Sequence, residues 1–306
     1  MDKLRIGLAL GSGSARGWAH IGVIKALEEQ GIRPDIVAGC SIGALVGAAY
    51  SGGHLESLEA WVRGLSFWDV VKLLDVRMSG GLIEGGSLMS SFEEQFRDAD
   101  IETLPRPFAA VATDLASGRE IWLQKGPLPA AVRASIALPG LFSPVEREGR
   151  WLVDGGLTNP VPVSLCRAMG ADLIIAVNLN SDIVGRHLKL RSGEKGAVEH
   201  EERDLFRQLM KRLNSGLLDS RFSRWSRDKR NRETVPGLFE VMASSINIMQ
   251  DRITKSRMAG DPPDVLLSPR LAQLGLLEFD RAEEAIAEGY ESVQRMASAL
   301  GHLLTR

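Results

Sequence analysis

A serine framed by glycines, Gly39-Cys40-Ser41-Ile42-Gly43, is the stretch of this chain best suited to nucleophilic chemistry. The apolar run Ile36-Val37-Ala38 precedes it, and a small-residue run from Ala44 to Tyr50 follows. Strand, sharp turn and helix in that order put a serine hydroxyl at the tip of a turn, clear of the backbone that carries it. Such a turn is strained, and a glycine two residues to either side lets the flanking segments approach without a Cβ clash. Gly47, one turn further on, lets the helix lie close to the sheet. Two blander readings compete. The pattern can arise by chance in a chain with 32 glycines. Residues 36–54 also carry no charge for 19 residues, the length of a membrane span. Five glycines, two serines and a histidine make them a poor span.

A serine nucleophile needs donors for the developing anion and a base. Leu4 to Leu10 reads as a buried strand, followed by Gly11-Ser12-Gly13-Ser14-Ala15-Arg16-Gly17. A helix from Trp18 to Gln30 comes next, with Ile21, Ile24 and Leu27 on one face. Successive backbone N–H groups just ahead of a helix form an anion site. The amides of Ser12, Gly13 and Ser14 are the candidate oxyanion donors, and their side chains do not interfere because the donors are main-chain groups. A nucleotide loop fits poorly: Arg16 stands where G-x-G-x-x-G needs its third glycine, and no G-K-S/T follows.

The candidate base is Asp154, followed by Gly155 and Gly156, at the end of a short strand Trp151-Leu152-Val153. Open α/β sheets collect their sites at the carboxyl ends of strands. Burial raises a carboxylate's pKa, and an oxyanion hole lowers the energy of the state formed after proton transfer. Asp154 could therefore take the Ser41 proton directly. The competing arrangement is a Ser-His-Asp triad with the histidine after the aspartate. Its candidates are His187, His200 and His302, none of which follows a strand. His20 and His54 read as structural or surface residues. Arg16 and Arg133 suit either a loop carbonyl, a phosphate head group or a structural hub. No cluster of metal ligands is visible, and the chemistry calls for neither metal nor cofactor.

Strand, loop, helix and strand at the start of the chain make a βαβ unit with a parallel sheet. Further strands are expected at 108–113, 120–123, 173–179 and 265–267, and a helix at 129–136. Leu55 to Met78 is unusually apolar: a core helix, or a wall or lid of an acyl-chain pocket, or a patch touching membrane. Phe239, Met242, Ile246, Met249 and Ile253 mark a long amphipathic helix. Asp280 is expected to cap a last helix, with Ala282, Ile286, Tyr290, Val293 and Leu300 as its buried stripe. Positions 186–235 hold 14 Lys or Arg against 8 Asp or Glu, with Leu205, Leu209, Leu213 and Leu217 at helical spacing. Arg221, Arg224, Arg227 and Arg230 recur there beside Phe222 and Trp225. The segment is either a solvated insertion or a basic surface for anionic phospholipid or a partner.

With 306 residues, 44% hydrophobic and 25% charged, the chain can bury one large core. A single domain over 1–306, with a charged insertion at about 183–235, is expected. A net charge of −2 predicts no attraction to nucleic acid, and two cysteines, Cys40 and Cys166, give no disulfide framework. The N-terminus lacks the long apolar core of a signal peptide. A soluble cytoplasmic protein follows, with peripheral contact at the inner membrane surface as the functional reading of the basic segment.

Gly11 to Gly17, Gly39 to Gly43 and Asp154-Gly155-Gly156 occur together, in this order and at these separations. In this the chain resembles the patatin-like phospholipase family, and residues 4–50 resemble its bacterial RssA-like branch, which is similar to the catalytic domain of neuropathy target esterase. The resemblance covers roughly residues 1–180 and, more loosely, the last 70. It implies a three-layer α/β/α fold, a modified α/β-hydrolase with a mostly parallel central sheet. It implies Ser41 as nucleophile, Asp154 as its partner, and a lipid or other acyl ester as substrate. The chain departs from the family where Ser12 and Ser14 replace glycine, which costs about 1 kcal/mol or more wherever the backbone needs a positive φ. A regulatory or scaffolding protein at a membrane, keeping the fold with little turnover, is the alternative.

Overall fold

The structure, a computed structural model, describes residues 4–73, 96, 99–139, 141–182 and 238–304. Its centre is one eight-stranded sheet. The strands are β1 (Ile6–Leu10), β2 (Ile36–Cys40), β3 (Phe108–Asp114), β4 (Glu120–Leu123), β5 (Val145–Arg147), β6 (Arg150–Asp154), β7 (Leu173–Val177) and β8 (Val265–Leu267). The order is β5-β6-β3-β2-β1-β7-β8, with β4 also paired to β3. Strands β3, β2, β1, β7 and β8 run parallel, and β4 and β6 run antiparallel to β3. The sheet is thus mixed and mostly parallel.

Its two faces divide the core by simple alternation. Leu8 and Leu10, Val37, Ala110 and Ala112, Ile175 and Val177 pack on one side. Ala9, Ile36 and Ala38, Ala109 and Val111, Ile174 and Ala176 pack on the other. Strands buried on both faces read as continuous apolar runs, which is why these segments were legible as strands. The first face carries α1 (Ala19–Glu29), α2 (Ile42–Ser51), α5 (Leu128–Ser135) and α8 (Ala282–Gln294). The second carries α6 (Val163–Ala168) and reaches Met258 of α7 (Leu238–Gly260). This is the three-layer α/β/α architecture expected of the sequence.

The uncharged stretch 36–54 is, as expected, a strand, a turn and a helix, β2 and the buried α2, and no described helix is long and apolar enough to cross a membrane. The apolar region after it forms α3 (Leu55–Arg63) and α4 (Phe67–Leu73). Leu58, Val62 and Val70 join the core and Trp61 packs edge-on to Trp18 at 6.4 Å, whereas Trp68 is 53% exposed. Residues 74–78, the basic segment from 183 and its leucine stripe lie outside the described residues. The last helix is two, α8 and α9 (Ala297–Leu304), and the position before α8 is Arg281 rather than Asp280.

The stripe assigned to α7 is the largest reversal. Met242 and Met249 are exposed, together with Val241 and Ile248, while Asn247, Gln250, Asp251 and Thr254 are buried. Apolar spacing identified a helix correctly but not the face it buries, because that face meets the polar loops at the end of the sheet.

Helices α1 and α8 touch backbone to backbone. A Cβ on Gly22 would lie 1.9 Å from the Ile286 carbonyl oxygen, and one on Gly289 would lie 1.9 Å from that of Ala19. Gly289→Ala is therefore expected to cost about 1–3 kcal/mol in urea unfolding, by forcing the helices apart. Gly301→Ala in α9 meets nothing within 4 Å. It should be neutral, or stabilising by up to about 1 kcal/mol. Equal unfolding midpoints for both variants would contradict this packing.

Candidate active site

Register brings the serine and the aspartate together. Strand β4 pairs with β3 over Ala110–Thr113 along one edge. The other edge of β3 is shared end to end: β2 pairs up to Cys40↔Val111, and β6 takes over at Ala112↔Asp154. Because β6 is antiparallel, it descends towards the top of β2 and stops where β2 stops. The next residue of β2 is Ser41. As expected from the sequence, Asp154 stands at the carboxyl end of a short strand, and that strand is antiparallel to β3.

Ser41 holds φ 56° and ψ −125°, in the left-handed half of backbone space that non-glycine residues avoid. Its surroundings fix the turn. The Ser41 N–H donates to Ser135 Oγ at 2.9 Å, and that hydroxyl donates to the Val111 carbonyl at 2.6 Å. A Cβ on Gly43 would stand 2.3 Å from the Leu10 carbonyl oxygen, and one on Gly39 would stand 2.4 Å from Ala44 Cα. Both glycines are therefore required by close approach.

Ser41 Oγ donates to Asp154 Oδ2 at 2.6 Å. The Gly156 N–H donates to the other carboxylate oxygen at 2.7 Å. Asp154 is 1% exposed, and burial lifts its pKa to about 6, against the lowering effect of these two hydrogen bonds. Gly155 sits directly beneath Val111, whose carbonyl oxygen a Cβ would approach to 2.3 Å. A hydroxyl donating to a desolvated carboxylate is the geometry of an activated nucleophile and its base.

Ser12, Gly13 and Ser14 of the glycine-serine loop line one cavity with Ser41 and Asp154. Its Ser12 N–H is committed to the Pro160 carbonyl at 2.8 Å. The N–H groups of Gly13 and Ser14 have no acceptor among the described residues, so the candidate donors narrow to these two. Ser14 takes the strained φ of 53° and ties its hydroxyl to the Leu276 carbonyl at 2.5 Å. Arg16, fully buried, donates from Nε to the Gly13 carbonyl at 3.1 Å and from Nη2 to Asn247 Oδ1 at 3.2 Å. In a trans peptide the carbonyl and the next N–H point opposite ways, so holding Gly13 O aims the Ser14 N–H away from the arginine. Desolvation lowers Arg16 to about 10 while Asp182 opposes the shift, so it stays charged at neutral pH.

Comparison with known proteins gives this geometry a family. The family model for patatin-like phospholipases matches residues 8–167. An uncharacterized NTE family protein of Mycobacterium tuberculosis is 36% identical over 328 residues, covering 93% of this chain and 89% of that protein. Patatin-like phospholipase domain-containing protein 6 of Homo sapiens is 36% identical over 184 residues, 58% of this chain and 13% of the human protein. The chain belongs to the patatin-like phospholipase family. Lipid or ester hydrolysis is the chemistry of that family.

The matched span of this patatin-like chain contains Ser41, Asp154 and the loop. His20 is fully buried and donates from Nε2 to the Gly11 carbonyl at 2.8 Å; burial lowers its pKa to about 4, so it is a neutral support of the loop. His54 lies edge-on to Phe96 at 4.9 Å. His187 and His200 lie outside the described residues, and His302 is in α9. Arg133 stacks over Phe142, a residue of the cavity wall, at 5.7 Å. No group of three or more possible metal ligands occurs among the described residues.

Four contributors were not anticipated from the sequence. Ser135 holds the elbow, and Asn247 and Gln250 of α7 hold the loop. The Ile42 amide, next after Ser41, has no acceptor among the described residues. Only Ile42 had a usable signal, since the residue after an elbow serine commonly supplies an oxyanion donor.

Asp154 is favoured in its neutral form by folding. Its contribution to stability is complete below the ordinary carboxylate range and is lost as pH rises through about 6. Asp154→Asn keeps an acceptor for Gly156 and removes the buried charge. The variant is expected to gain on wild type by up to roughly 3 kcal/mol at pH 7.5, with the difference fading at pH 4. Urea unfolding at both pH values measures this, and a variant less stable than wild type only at the higher pH would contradict it.

Proposed function

We propose that this protein is a serine carboxylic-ester hydrolase of acyl lipids, phospholipid or lysophospholipid, working through a Ser41–Asp154 dyad. The observation that carries the reading is the 2.6 Å hydrogen bond from Ser41 Oγ to a carboxylate that is 1% exposed. Asp154 accepts the proton as Ser41 Oγ attacks the ester carbonyl, and returns it to the departing alcohol. The Gly13 and Ser14 amides receive the oxyanion, held in place by Arg16. Residues 4–50 support assignment to the RssA-like branch of the family. The cavity wall of Ile136, Leu138, Phe142, Ile246 and Phe279 supports an apolar acyl group.

Ser41→Ala is expected to abolish ester hydrolysis while the protein stays folded: the hydroxyl packs no core, and Asp154, left without the donor to its Oδ2, takes up a proton more readily. Wild-type kcat/KM should fall about tenfold per pH unit below about 6 as Asp154 protonates. Replacing His187, His200 and His302 together should leave turnover largely intact. Loss of turnover in a folded triple variant would favour a triad.

The same reading includes peripheral contact with an anionic membrane surface from the cytoplasmic side. Its supports are the basic segment 186–235 and the exposed Val241, Met242, Ile248 and Met249 on the helix that also carries Ile246 to the cavity. Replacing Arg221, Arg224, Arg227 and Arg230 by Gln should weaken sedimentation with anionic vesicles. Wild-type binding should drop with salt, since charges are screened beyond about 8 Å at physiological ionic strength. Equal, salt-independent binding to neutral and anionic vesicles would count against it.

A further inference from the structure

The buried face of α7 is polar, and burying polar side chains is costly unless they are used. Asn247 is used: it accepts from Arg16. Gln250, 5% exposed, is only half used. Its Oε1 accepts from Ser12 Oγ and from Asn180 Nδ2, both at 3.0 Å. With the oxygen held by two donors, the carboxamide plane is fixed and Nε2 faces the other way. There it meets the Asp154 turn. A Cβ built on Gly156 would lie 2.3 Å from Gln250 Nε2 and 2.9 Å from Asp154 Oδ1, so the amide nitrogen and the carboxylate flank one glycine. Gln250 Nε2 has no acceptor among the described residues, and the side chain lines the cavity with Ser41, Asp154, Gly13 and Ser14. The cavity holds about 40 Å³. A water site needs roughly 10–15 Å³ and two to four polar partners, and this one offers both.

We propose that Gln250 Nε2 holds the water that hydrolyses the acyl-enzyme. The proposal rests on the reading of Ser41 as nucleophile. Once the alcohol has left, the acyl group is on Ser41 Oγ and Asp154 is again a carboxylate. The water accepts a hydrogen bond from Nε2 through one lone pair and attacks the acyl carbon with the other. Its proton passes to Asp154 as the new C–O bond forms, and the oxyanion sits on the loop amides. Collapse breaks the bond between the acyl carbon and Oγ, Asp154 returns the proton to Oγ, and the carboxylic acid departs. Gln250 thus serves the second half of the reaction. The 238 positions between Ser12 and Gln250 hide it from any local motif.

The two halves can be measured apart. A fluorophosphonate probe reacts with Ser41 through the activated hydroxyl and the oxyanion donors, with no attacking water. Hydrolysis of an activated p-nitrophenyl ester needs both halves. Gln250→Met keeps the length and removes the Nε2 donor together with the Oε1 acceptor of Ser12 and Asn180, neither of which supplies the free loop amides of Gly13 and Ser14; Gln250→Asn keeps both halves of the amide but withdraws them by one methylene. Both variants are expected to lose roughly 30- to 100-fold in steady-state turnover, to label within about threefold of the wild-type rate, and to retain a one-equivalent burst of p-nitrophenolate. If Gln250→Met fails to fold, Gln250→Asn carries the same comparison. A parallel fall in labelling and turnover would reduce Gln250 to a prop for Ser12, and unchanged turnover would remove it from the reaction; either result overturns the proposal. A wild type that neither labels nor bursts would instead overturn the reading of Ser41.

Discussion

Desolvation of a single carboxylate governs this centre. A carboxylate exposed to water is too weak a base to help a serine hydroxyl, and burial of Asp154 narrows that gap by lifting its pKa to about 6. An unpartnered buried charge would be prohibitive, so the carboxylate must be met on both oxygens, by Ser41 and by the Gly156 amide. Those partners in turn demand a sheet edge on which two strands end face to face. The register of β2 and β6 on β3 supplies it. The strained φ of Ser41 is the local cost of aiming the hydroxyl into the gap.

The oxyanion side depends on distant parts of the chain. Leu276 accepts from both the Ser14 hydroxyl and the Ala15 amide, and Trp18 donates to the Phe279 carbonyl. Asn247 and Gln250 reach the loop from α7, and α8 locks against α1 through the paired glycines. The loop, Ser41 and Asp154 all lie in the first half of the chain or close to its midpoint, but the last seventy residues hold the loop in place. This is why a chain whose family match ends at residue 167 still needs its C-terminal helices around the site.

What the sequence disclosed follows from how local each feature is. The elbow was legible because glycine spacing, an apolar strand and a small-residue helix are contiguous. Asp154 was legible through its own two glycines, though the direction of its strand was not, since an antiparallel turn-back depends on β5 and β3 rather than on residues 150–154. Ser12, Gly13 and Ser14 were found as a group; which amide is spent on Pro160 is a tertiary fact. The buried face of α7 was misread because helical spacing of Met242, Ile246 and Met249 outweighed Asn247 and Gln250, whose partners Arg16 and Ser12 lie more than 200 positions away. The dyad itself, as chemistry, stays with the functional proposal.

The most direct test is to catch the covalent intermediate. The protein is mixed with an excess of activated ester, quenched in acid within milliseconds, digested and analysed by mass spectrometry. The account predicts one acyl group per chain, on the peptide containing Ser41 and on its hydroxyl. Turnover without any acylated peptide, or an acyl group on a different residue, would contradict it.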